Sequence, residues 1–404
     1  MHTSSKGRLI SLSLSMLLAS LGTSIANVGL PSLAQAFDAS FHAVQWVVLA
    51  YLLAITAVIV SAGSLGDRLG RRRLLLAGLL LFAVACALCG AAPSLQWLVA
   101  ARVLQGLGAA SMMAMTLGLV GDTVPAQRTG RVMGLLGTMS AVGTAMGPSV
   151  GGVLLSLWGW RALFLVGAPL GLLAAALAWR YLPADQQGRT SASGNAFWLP
   201  LKDPALRAGL AMSTLVSAVI MTTFVVGPFY LSRGLELEAA WMGLAMAVGP
   251  CVSAATGVPA GHLTERLGSQ RMTLAGLGLM AVGALALSLV SALVAYLAAL
   301  VLLTMGYSLF QAANNTAVMS DVDASRRGTI SGLLNLSRNL GLIFGASALG
   351  AVFAWASPDV TRAAAQTVAN GLHVTFAAAL ALIIAASTFA WRRHSAENGA
   401  QNTR

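Results

Sequence analysis

Long apolar runs separated by short polar connections dominate the chain. A helix rising 1.5 Å per residue needs about 20 apolar residues to cross the hydrocarbon core of a bilayer. Gly, Ser and Thr belong in such runs, because small side chains let neighbouring helices approach closely. On that pattern the chain predicts twelve spans. The first six run over 9–34, 44–65, 74–92, 95–120, 132–157 and 162–181. The second six run over 208–231, 240–260, 272–290, 293–319, 329–353 and 371–391. The one sizeable connection is 182–206. The first run follows Lys6 and Arg8 and contains a cleavage-like Ser24-Ile25-Ala26. It continues to Pro31, so it reads as a retained helix and not as a signal peptide.

Composition agrees with a lipid environment. Of 404 residues, 57% are hydrophobic and 9% charged. A soluble domain carries about 25% charged residues, so too few are present to coat a water-facing surface. An ordinary cytosolic enzyme, a disordered chain and a nucleic-acid-binding protein are excluded on that ground. The net charge of +12 then reads as topology, because Lys and Arg collect on the cytoplasmic side of membrane proteins. With both termini in the cytoplasm, the inner loops and tails hold nearly all the Lys and Arg, including Lys6, Arg8, Arg71–Arg73, Arg180, Arg266 and Arg271. The outer loops hold Arg161, Arg233 and Arg362. Two arginines, Arg102 and Arg338, fall inside predicted spans. Cys86 and Cys89 form a C-x-x-C, but with no other thiol or histidine nearby in the run they read as small packing residues. No metal site is expected.

The second half repeats the first at an offset of 198 residues. Gly63-Ser64-Leu65-Gly66-Asp67-Arg68-Leu69-Gly70 lies over Gly261-His262-Leu263-Thr264-Glu265-Arg266-Leu267-Gly268. At the same offset Gly143, Gly147 and Gly152 lie over Gly341, Gly345 and Gly350. The fold expected is an all-α membrane protein made of two parallel six-helix bundles, 1–181 and 207–404, joined by a cytoplasmic linker, 182–206. Parallel halves of this kind place a substrate site between them near the midplane.

Several motifs resemble those of the major facilitator superfamily, along nearly the whole chain. Gly63-x-x-x-Asp67-Arg68-x-Gly70-Arg71-Arg72-Arg73 is similar to that family's signature loop. Arg102-x-x-Gln105-Gly106-x-Gly108 is similar to its second motif, and Gly143-x-x-x-Gly147-Pro148-x-x-Gly151-Gly152 to the motif typical of its exporters. Leu21–Pro31 and Gln45-Trp46-x-x-x-x-Tyr51 resemble the drug/proton antiporter branch. The resemblance implies that Gly63, Asp67, Arg68, Gly70 and Arg71 latch the two bundles in the outward-facing state. It implies that Gly143–Gly152 form a hinge or seal between helices 5 and 8. It implies a central cavity lined by helices 1, 4, 7 and 10.

The residues themselves allow much of this. Asp67 can accept hydrogen bonds at a helix N-terminus, with the start of helix 11 near Thr329 as candidate; the arginines beside it serve equally as a topology anchor. Glycines four apart make a strip on which another helix lies closely, and Pro148 removes one helix hydrogen bond. An arginine at mid-helix costs about 2.5–3.5 kcal/mol on insertion scales. Arg338 lies near the midplane; Arg102 lies nearer the outer end, where it can partly snorkel. Their counterparts at the repeat offset are Ser140 and Leu300, so symmetric scaffolding does not explain either charge. Each is a candidate for coupling or substrate binding, with Gln105; the alternative is a structural arginine tied to backbone carbonyls. Tyr307, Gln311, Asn314 and Asn315 share one helical face, as do Thr23 and Asn27. In lipid such faces line a cavity or bond a neighbouring helix.

None of the twelve acids falls within a predicted span. Where the antiporter branch often has an aspartate in helix 1, this chain has Gly22. Proton coupling is therefore implied by the resemblance more than by the residues. Two arginines without an acid disfavour cationic substrates. The function expected is export of a small amphipathic compound by alternating access, driven by the proton gradient, by a monomer in the inner membrane with no bound cofactor. The alternatives are an uncoupled organic-anion or metabolite carrier, and a membrane sensor or assembly factor that does not transport. No Gly-x-x-x-x-Gly-Lys-Ser/Thr loop is present, which disfavours a nucleotide-driven pump, and no connection is long enough for a catalytic domain.

Overall fold

A computed structural model describes residues 2–123, 126–183, 203–319, 327–360 and 362–402. Among the described residues the structure is helical, without strands. Among the described residues, twelve helices are long and apolar enough to cross a membrane. The first six are α1 (Lys6–Val28), α2 (Phe41–Ile59), α3 (Arg71–Gly90), α4 (Leu95–Val120), α5 (Leu135–Trp158) and α6 (Trp160–Tyr181). The second six are α7 (Pro204–Gly234), α8 (Ala239–Leu267), α9 (Ser269–Leu287), α10 (Leu293–Met319), α11 (Gly332–Ala356) and α12 (Ala365–Trp391). The twelve predicted spans are all present, with shifted ends.

The largest shift is in the first run. The helix stops at Val28 and a short helix, Leu30–Ala36, follows Gly29. Pro31 sits in the first turn of that short helix, where a missing N–H costs nothing. A continuous span to residue 34 is therefore corrected to a helix with a break. Other ends are set by caps. Ser40 accepts from the Ala43 N–H at 3.3 Å, and Asp203 accepts from the Ala205 N–H at 2.9 Å ahead of Pro204.

The chain divides into two compact units, Met1–Ala192 with Leu237–Ala247, and Ser193–Glu236 with Val248–Arg404. The start of α8 thus packs with the first unit and its remainder with the second.

The repeat is visible as identical helix crossings in both units. In the first, a methyl group on Gly78 would lie 3.0 Å from the Gly108 carbonyl, and one on Gly108 would lie 2.8 Å from the Gly78 carbonyl. In the second, Gly276 and Gly306 meet in the same way, at 2.8 and 2.6 Å. These pairs let α3 cross α4, and α9 cross α10, backbone against backbone. The turns before α3 and α9 also match. Gly70 has φ 99° and Gly268 φ 88°, a region that L side chains rarely enter.

Candidate functional site

Three groups of predicted residues can be followed in the structure. In the first, α5 lays its glycines along α1. Gly143 sits on the Leu17 carbonyl, Gly147 on Ser24, and Gly151, about one helical turn beyond, on Val28. Ser20 and Ser140 share a hydrogen bond of 2.7 Å across the same seam. Pro148 is buried inside the helix. Gly152 faces another neighbour: a methyl group there would lie 2.7 Å from the Ala239 carbonyl and 2.8 Å from the Gly243 Cα. Ala239 and Gly243 belong to the first turns of α8, so the strip brings α5 onto both α1 and α8. The Gly243 partner is a residue that sequence reasoning passed over; a small residue at the start of a helix has no distinguishing signal until its neighbour is known.

The second group surrounds Arg102, which is fully buried. Its Nε donates to the Val47 carbonyl at 2.7 Å and one Nη donates to the Gly22 carbonyl at 3.0 Å and to Gln105 Oε1. The guanidinium lies 4.1 Å from the centre of the Tyr51 ring, a cation–π distance. Tyr51 donates its hydroxyl to the Ala19 carbonyl at 2.7 Å, and Gln105 donates to Cys86 Sγ at 3.0 Å. One arginine therefore ties together α1, α2, α3 and α4. It does not snorkel, contrary to the sequence expectation, because carbonyls of α1 and α2 lie within reach of its fork. None of the partners is charged. Its other Nη is buried without a hydrogen-bond partner among the described residues. The same geometry explains Gly22. A methyl group there would lie 2.8 Å from the Tyr51 hydroxyl and 3.2 Å from Phe82, so the space an aspartate would need is filled by the phenol.

The third group is dispersed. Arg338 is exposed on α11, and the buried side of the same helix carries Leu333, Ser337 and Gly341. Gly341 packs on the Thr214 carbonyl, and Thr214 donates to the Ser337 carbonyl at 3.0 Å, so α7 covers the side of α11 next to Arg338. On α10 the predicted polar face divides. Tyr307, Gln311 and Asn315 are half-buried. Asn314 is 1% exposed and donates to the Gly209 carbonyl of α7 at 3.2 Å, a bond between helices. On α1, Thr23 is half-buried, whereas Asn27 is buried and donates to the Thr23 carbonyl at 3.1 Å.

The signature loop is described only in part. Gly63, Asp67 and Arg68 fall at the end of the helix Phe41–Leu69, but their side chains, and that of Thr329, lie outside the described residues. Arg71 donates to the Gly118 carbonyl of α4 at 2.8 Å, which fixes the start of α3 against the end of α4.

Twelve apolar helices, two internally repeated units and backbone-close crossings define an integral membrane protein of the transporter kind. Residues 12–346 match the model of the Major Facilitator Superfamily, and the chain belongs to that family. It is 26% identical to the riboflavin transporter RibZ of Clostridioides difficile, over 86% of this chain and 88% of that one. It is 30% identical to the multidrug resistance protein Stp of Mycobacterium tuberculosis, over 88% of this chain and 78% of that one. Among solved structures, a bacterial homologue of the human lysosomal transporter Spinster superposes with a TM-score of 0.81 at 18% identity, covering 95% of each chain. At that identity the likeness speaks for the fold alone.

Proposed function

We propose that this protein exports a small amphipathic molecule across the cytoplasmic membrane by alternating access, with both termini inside and the proton gradient as driving force. The observation that carries the direction of transport is the α5 strip. Its glycines match the exporter motif and rest on α1 and on the first turns of α8, the seam that such a motif is expected to seal. Likeness to Stp supports a drug-like cargo.

The driving force rests on kinship, since the helix-1 position holds Gly22 and the space around it is filled. Arg338 supports a neutral or anionic cargo. An exposed arginine so deep in an apolar helix is tolerable only where water reaches it. Arg102 is fully buried with its Nε and one Nη on internal carbonyls, so the preference is drawn from Arg338. A second reading, an organic-anion or metabolite carrier without proton coupling, draws on the same missing acid and on the likeness to a riboflavin transporter.

Purified protein in liposomes under an imposed pH gradient, offered labelled cationic, neutral and anionic amphiphiles, separates the two. Flux that follows the gradient, with cations least favoured, is the expected result. Flux independent of the gradient overturns proton antiport, and preference for cations overturns the charge argument.

A further inference from the structure

The cytoplasmic ends of three helices in the first unit converge on one aromatic residue. Gly7 of α1 packs directly on the ring of Tyr181, the last residue of α6. The Arg180 guanidinium lies 5.7 Å from the centre of that ring. Arg72, in the first turn of α3, donates to the Trp179 carbonyl and so closes the last turn of α6. Lys6 and Arg8 flank Gly7 on α1. Contacts through Gly7 and Arg72 thus bring cations from α1, α3 and α6 to one corner. The three helices carry no Asp or Glu along their length, and the side chains of the neighbouring acids Asp67, Asp122 and Asp185 lie outside the described residues. Beside the corner, the Trp179 indole is exposed on the outer surface of the bundle.

We propose that this corner binds the headgroup of an anionic phospholipid from the cytoplasmic leaflet. The cations supply the charge that a phosphodiester needs, and Trp179 supplies an amphipathic wall at headgroup depth. Two contacts that charge sorting alone does not require, Gly7 on the Tyr181 ring and Arg72 on the Trp179 carbonyl, hold these cations together. The ligand is a lipid and not a free anion, because the corner opens beside an exposed indole at the membrane edge.

The test is native mass spectrometry of the purified full-length protein titrated with phosphatidylglycerol, and separately with phosphatidylcholine of the same chains. Wild type is expected to hold one phosphatidylglycerol in preference to phosphatidylcholine. Arg72→Gln with Arg180→Gln is expected to raise the half-saturating concentration roughly 10- to 30-fold. Arg266→Gln with Arg271→Gln, which removes equal charge from the second unit, should leave it unchanged. If the first pair fails to fold by thermal unfolding, Lys6→Gln with Arg180→Gln tests the same corner through two exposed side chains. Equal loss from both pairs, equal binding of the two lipids, or displacement by millimolar inorganic phosphate would each overturn the proposal.

Discussion

Gly152→Ala tests whether the α5–α8 seam is as tight as its geometry implies. The added methyl would lie 2.7 Å from the Ala239 carbonyl and 2.8 Å from the Gly243 Cα. Both are backbone atoms, so no side chain can rotate away and the two helices must separate. Overpacking of that kind costs about 1–3 kcal/mol. Against it stands the gain of roughly 0.5–1 kcal/mol that alanine has over glycine inside a helix. The second term cancels in a comparison within one helix. Gly137, also on α5, has nothing within 4 Å of an added methyl, so Gly137→Ala keeps the gain without the clash. The difference between the two variants is then the clash itself, about 1–3 kcal/mol. For a chain of 404 residues, at an unfolding entropy typical of globular proteins, that is about 1–4 °C in melting temperature. Thermal unfolding of both variants in the same detergent measures it. Efflux in liposomes should fall for Gly152→Ala and hold for Gly137→Ala if the seam governs the exchange between inward and outward states. Equal melting temperatures would refute the packing argument, and equal efflux with unequal stability would refute the role of the seam in transport.

Other outcomes follow from the same geometry. Gly22→Asp should lower the melting temperature, since its Cβ meets the Tyr51 hydroxyl at 2.8 Å; adding Tyr51→Phe removes that oxygen and should recover part of the loss, and no recovery would mean that the phenol is not the obstacle. Gly70→Ala and Gly268→Ala, at φ 99° and 88°, should each cost about 1–2 kcal/mol from backbone strain, whereas Gly257→Ala, in open space within α8, should not; equal stability of the three contradicts the turn assignment. Brominated lipids should quench the fluorescence of a variant keeping only Trp355, 78% exposed, far more than one keeping only Trp160, 9% exposed. Equal quenching would contradict the exposure of Trp355 and the burial of Trp160 on the membrane-spanning surface.

The number of spans and the internal repeat were legible in the sequence because both are periodic properties. Apolar run length reports the thickness of the bilayer, and an ungapped offset reports duplication, wherever the helices end up. The α5 glycines were legible for the same reason: four-residue spacing puts them on one strip, and a strip of glycines has one physical use. What they touch was not legible. Gly152 meets Gly243, nearly a hundred residues away, and no local pattern encodes that distance.

Arg102 marks the boundary between the two kinds of knowledge. Its presence inside an apolar run announced an expensive charge, and the sequence left two uses for it. Only the fold supplied its partners, by bringing the Val47 and Gly22 carbonyls and the Tyr51 ring within reach of one guanidinium. Asn314 was likewise one of four residues on a common face until α7 supplied the Gly209 carbonyl as its partner. Burial in lipid is a property of a segment and can be summed along the chain. The partner of a buried polar atom is a property of a crossing between helices, and it exists only once the helices are packed.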